Sequence, residues 1–227
     1  MARLERALYT EFAATGVLSA GLALIASGTT AVAPGQPGLQ LLVASVLIGA
    51  LIVILLRAPS GSGGGYLNPI VCAAVGLRER ARYEWLPGTA LFLLVQMGGA
   101  AAGVWLADLF LATVQLPAAE PIPHLSGYAA EGVAGAVVAV VAYLAPAAKR
   151  PLLLGVICGV ICWSMGSLSF GNPAMALASA LAWGGGSGES NNVALRALAQ
   201  LLGAAVALGV LAGLFGGQAR ASEPDHK

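Results

Sequence analysis

Charge is scarce in this chain. Of its 227 residues only 9% are charged while 58% are hydrophobic, and the mean hydropathy is +0.84. A water-soluble domain of this size has too much surface to cover with so few charges, so the chain reads as an integral membrane protein. Cysteine and histidine are nearly as rare. Cys72, Cys158 and Cys162 all fall in apolar segments, where a thiol acts as a small buried hydrophobe, which argues against a disulfide framework. His124 and His226 have no cysteine or carboxylate at ligand spacing, so no metal site is expected. A formal net charge of +1 argues against a nucleic-acid partner. No lysine follows Gly61-Ser62-Gly63-Gly64-Gly65 at phosphate-loop spacing, which speaks against a nucleotide site. That glycine run instead lets backbone carbonyls approach a narrow path, and Gly184-Gly185-Gly186-Ser187-Gly188 reads as a solvated outer turn.

What the chain does have is apolar length. Crossing about 30 Å of hydrocarbon takes about 20 apolar residues as a helix. Six stretches qualify, approximately Leu8–Ala31, Leu39–Leu56, Trp85–Leu111, Tyr128–Ala147, Pro151–Leu168 and Val193–Phe215. The first is expected to be a retained span, because its apolar run is too long for a signal peptide and no separate cleavage segment stands out. With the N-terminus inside, all the basic residues but Arg196 fall on the inner side, so the positive-inside rule puts both termini in the cytoplasm.

Two shorter apolar pieces remain, Asn68 to Leu77 and Asn172 to Trp183, and they are too short to cross. Each opens with Asn-Pro. Asparagine is a good N-cap, and proline in the first helical turn sacrifices no hydrogen bond, so both read as half-helices. Asn172 repeats Asn68 after 104 positions, and Gln200-Leu201-Leu202-Gly203-Ala204 repeats Gln96-Met97-Gly98-Gly99-Ala100 after the same 104. The first half-helix lies between spans two and three and its copy between spans five and six, so one repeat is inverted. Repeat one covers about 7–111, repeat two about 128–217, and 218–227 reads as a cytoplasmic tail. Inverted repeats with broken helices place a transit site near the bilayer midplane, where Asn68 and Asn172 are expected to meet.

A carboxylate inside a membrane helix is costly and needs a partner. Glu11 in span one and Glu131 in span four are expected to accept hydrogen bonds from the loop feeding each half-helix, with Gln96 and Gln200 bonding the exposed loop backbone. Their separation of 120, against 104 for the boxes, is assigned to shorter connections in the second half, with Lys149-Arg150-Pro151 a tight turn.

These residues resemble the aquaporin (major intrinsic protein) family over nearly the whole chain. Tyr9-Thr10-Glu11-Phe12-Ala13-Ala14-Thr15 is similar to its first-span signature, and Gly65-Tyr66-Leu67-Asn68-Pro69-Ile70 and Gly171-Asn172-Pro173-Ala174 to its two Asn-Pro-Ala boxes. The resemblance implies an all-α membrane protein with six transmembrane helices and two re-entrant half-helices. It also implies a homotetramer in the lipid bilayer of the plasma (cell inner) membrane, each subunit with its own pore for a small neutral permeant, with no cofactor and no enzyme chemistry. Asn68 and Asn172 would donate to a passing oxygen. Counting without gaps from each box puts Ile48, Val160, Ser169 and Met175 at the family's outer filter. The arginine and histidine usual in water-selective members are then methionine and valine, an aliphatic filter that forfeits fixed donors. Ala176 stands where water-selective members have serine and glycerol facilitators aspartate. Arg196 is open to two readings: an interfacial cation or partner of Glu189, or a partial replacement for the missing filter charge.

Three functions remain open at this point. The chain is a passive channel, a non-conducting or gated structural or adhesive family member, or a secondary transporter coupled to an ion gradient.

Overall fold

A computed structural model describes residues 2–58, 65–79, 85–110, 125–176 and 189–215, and over these the chain is helical with short connecting turns. The helices are α1 (Ala2–Val32), α2 (Pro37–Arg57), α3 (Pro69–Arg78), α4 (Trp85–Phe110), α5 (Leu125–Leu144) and α6 (Arg150–Met165). Residues 173–176 begin α7, the rest of the half-helix expected up to Trp183 lies outside the described residues, and α8 (Glu189–Phe215) follows. Among the described residues five helices, α1, α2, α4, α5 and α8, are long and apolar enough to cross a membrane. Many large apolar side chains point outward, among them Leu94, Trp105, Val206 and Leu214. That pattern suits lipid as the solvent.

Span five is shorter than expected. The hydropathy pattern predicts a span over Pro151–Leu168, but α6 ends at Met165, because Gly166 takes the left-handed conformation (φ 62°) that closes a helix. Its 16 residues measure about 24 Å. The second repeat is also compacted in part differently from the expectation. The turn between α5 and α6 is no shorter than the one between α1 and α2, and closes with the Lys149 and Arg150 amides on the Pro146 carbonyl at 2.9 and 2.8 Å. Part of the saving is in the connection before the second box, 166–171 against 58–67, as expected, and the larger part is in the helices: α1 runs farther past Glu11 than α5 past Glu131, and α2 has 21 residues against 16 in α6.

The repeats build matching layers. α1 packs along α4, α5 along α8, and α2 along α6 where the two halves meet. Each crossing runs on glycine. A methyl on Gly99 would run into the Phe12 carbonyl, one on Gly203 into the Gly132 carbonyl, and one on Gly49 into the Gly155 carbonyl. Without a hydrophobic drive between helices in lipid, such close backbone approach is a main source of association. α3 packs against α5, α4 and α8, and its Ile70, Val71, Ala74 and Val75 are buried in the central cluster.

Candidate functional site: a waist between two asparagines

Asn68 and Asn172 are both buried, and they meet. Each caps its own half-helix. The Asn68 side-chain oxygen accepts from the Ile70 amide at 2.8 Å, and that of Asn172 accepts from the Ala174 and Met175 amides at 3.1 and 3.4 Å. Capping uses the oxygen and leaves the amide nitrogen free to reach across. Asn68 Nδ2 donates to the Gly171 carbonyl at 3.0 Å, and Asn172 Nδ2 donates to the Leu67 carbonyl at 2.7 Å. The bonds are reciprocal: each asparagine holds the residue just before its counterpart. Those two residues, Leu67 (φ 61°) and Gly171 (φ 71°), share the left-handed conformation. Beside them lies a cavity of about 20 Å³ bordered by both asparagines, Leu18, Cys158 and Phe170. That is room for about one water.

Two buried carboxylates support this waist by different means. Glu11 accepts from the backbone amides of Gly65, Tyr66 and Leu67 at 2.7, 2.7 and 3.1 Å, and from Gln96 Nε2 at 2.9 Å. Glu131 is held by side chains instead. It accepts from the Ser167 hydroxyl at 2.8 Å, the Ser169 hydroxyl at 3.2 Å, Gln200 Nε2 at 2.5 Å and Arg196 Nε at 3.1 Å. Arg196 Nη2 adds a 3.0 Å ion pair. Two expectations therefore change. The glutamines bond the carboxylates and not the loop backbone. Arg196 is paired with Glu131, and the expected alternative partner, Glu189, has its side chain outside the described residues. Arg196 neutralises Glu131, whose side chain is only 2% exposed.

No family model matches the chain. Over 215 residues it is 29% identical to the aquaglyceroporin AqpS of Rhizobium meliloti (strain 1021), a match covering 92% of this chain and 89% of that protein. This likeness to an aquaporin-family protein runs over nearly the whole of both chains.

The structure places the four residues expected at an outer filter in different surroundings. Of the four expected filter positions, Ile48 and Met175 are buried in the one central cluster. Val160 does not join them. It is 48% exposed and lies in an outward groove between α2 and α6 with Val156, Gly159 and Trp163. Gap-free counting assigned it wrongly because the chain passes from helix into turns at Gly166, whereas the inward face of α6 follows the helical period through Leu154, Cys158, Ile161 and Cys162. Ser169 was the one polar side chain of the set, but its hydroxyl is engaged by Glu131, Ser167 and Gln200, while its carbonyl accepts the Asn172 amide at 2.7 Å.

Sequence reasoning missed Leu18, Cys158 and Phe170 at the waist. The fourfold spacing of Leu154 and Cys158 on α6 would have flagged Cys158. No sequence pattern marks Phe170.

Proposed function

We propose that this chain is a passive aquaporin-type channel for water and small uncharged solutes, with an outer constriction lined by aliphatic side chains. The reciprocal asparagine–carbonyl bonds carry this reading. They spend one N–H of each amide on holding the waist together, and every side-chain amide has a second. A permeant reaching the one-water cavity would meet two fixed donors and otherwise mostly apolar walls.

Selectivity follows from charge. Arg196 is neutralised by Glu131, so it does not restore the fixed cation that Met175 lacks. Exclusion of cations and protons then rests on the half-helix N-termini at the waist, whose dipoles carry partial positive charge. At the outer neck, each hydrogen bond a permeant loses against Ile48 and Met175 costs about 1–3 kcal/mol. Weakly hydrated neutral solutes are favoured beside water, and the relative's name, an aquaglyceroporin, puts glycerol first among them. The reading includes a homotetramer in the plasma (cell inner) membrane with both termini cytoplasmic, repeats over about 7–111 and 128–217, and a cytoplasmic tail from 218.

Solute-resolved uptake into proteoliposomes tests this. Water, glycerol, urea, ammonia and hydrogen peroxide should pass above the empty-vesicle rate in some combination, and Met175→Arg should narrow the set. Identical relative permeabilities in the two proteins would mean that position 175 lines no constriction.

A further inference from the structure

Among the described residues, Leu67 and Phe170 are the non-glycine residues with positive φ, at 61° and 39°. Both border the waist cavity. A bulky residue in that region is a true outlier, and glycine would adopt the same backbone freely. Glycine is used at the very next position. Gly171, at φ 71°, has no room for a side chain, since a Cβ there would lie 2.8 Å from the Ala134 carbonyl oxygen. At 170, where glycine would relieve the backbone, the chain carries phenylalanine, only 1% exposed. It shares one cluster with Leu18, Ile48, Leu67 and Met175, apolar neighbours of the path proposed above. Strain of this kind persists where the surroundings over-determine it and concentrates at functional positions.

We infer that Phe170 is a specificity-determining residue: its side chain, more than the asparagine pair, limits the cross-section of solute that passes the waist. This rests on the channel reading. The asparagines supply hydrogen bonds to whatever enters, and the aromatic side chain limits how thick it is. The admitted class is water and solutes thin enough for single file, with branched or wider neutral molecules held back.

The test is uptake by proteoliposomes containing wild type, Phe170→Gly or Phe170→Leu, with water, urea and glycerol as probes and gel-filtration profile and helicity as checks on folding. Phe170→Gly, which removes the side chain and relaxes the backbone, should raise the urea-to-water and glycerol-to-water permeability ratios several-fold, with Phe170→Leu between it and wild type. If the glycine variant fails to fold, the leucine variant decides in the same direction. Folded variants with the wild-type ratios overturn the inference, since a residue that only fills space would alter stability and leave the ratios alone. Wild type at the empty-vesicle rate with Phe170→Gly above it supports the inference and makes the side chain a plug. All three proteins at the empty-vesicle rate overturn it, and the wild-type result then counts separately against the channel itself.

Discussion

Removing the cation from the Glu131 site should cost far more than removing a hydrogen bond. Arg196→Met keeps an unbranched apolar stem but leaves Glu131 charged, with its side chain 2% exposed and its remaining bonds to Ser167, Ser169 and Gln200. Breaking one side of a buried ion pair costs about 3–5 kcal/mol. The surviving bonds, and the 15% exposure of the arginine side chain, put this pair at the lower end, at about 3 kcal/mol. In a Glu131→Gln background the same substitution removes only a neutral contact, and side-chain hydrogen bonds within membrane bundles average about 0.6 kcal/mol. The two costs differ by about 2 kcal/mol, well above the error of a double-mutant cycle. The assay is thermal unfolding of the four purified proteins in one detergent, followed by far-UV circular dichroism. At about 2–4 °C per kcal/mol for a chain of this size, Arg196→Met should lower Tm by roughly 6–12 °C in the wild-type background and by about 1–2 °C in Glu131→Gln. Equal losses in both backgrounds would refute the reasoning, because they would make Arg196 a packing residue and not the counter-charge of Glu131.

The other carboxylate should respond differently. Both Glu11 oxygens accept from donors, so Glu11→Gln must turn an NH2 toward backbone amides, and a loss of about 1–3 kcal/mol per orphaned bond should show as a lower melting temperature than that of Glu131→Gln. At the α5–α8 crossing, Gly203→Leu forces side-chain atoms into the Gly132 carbonyl, and gel filtration should report aggregated or misassembled protein; a normal profile would mean the crossing is looser than described. Val160→His should leave solute discrimination unchanged in vesicle uptake, since position 160 faces the outward groove, and altered selectivity there would restore it to the filter.

Much of the waist was legible because the chain states it twice. Two Asn-Pro starts, two glutamates and two glutamines at matched spacing need only helix-capping chemistry and the cost of buried charge to be read as paired half-helices with supports. The rest depended on local geometry that letters do not carry. Glu11 and Glu131 look alike in sequence, yet one reads backbone and the other side chains, because Ser167 and Ser169 put hydroxyls where the first repeat has Gly63 and Gly65. Arg196 is 65 positions from its partner, farther than any periodicity argument reaches. Val160 was misplaced by one feature, the left-handed Gly166 that ends α6 early and breaks the count from the second box. Phe170 is unremarkable until its backbone angle and burial are known together.

The account stands on a continuous path for neutral molecules through the asparagine waist. Stopped-flow light scattering of sealed proteoliposomes under an osmotic gradient, repeated with water-only and solute gradients and with a proton or sodium gradient imposed, measures this directly. The account predicts volume changes faster than in empty vesicles for at least one small neutral permeant, at a rate that the ion gradients do not change. Rates equal to those of empty vesicles for every permeant, or a flux that appears only when an ion gradient is applied, would contradict it.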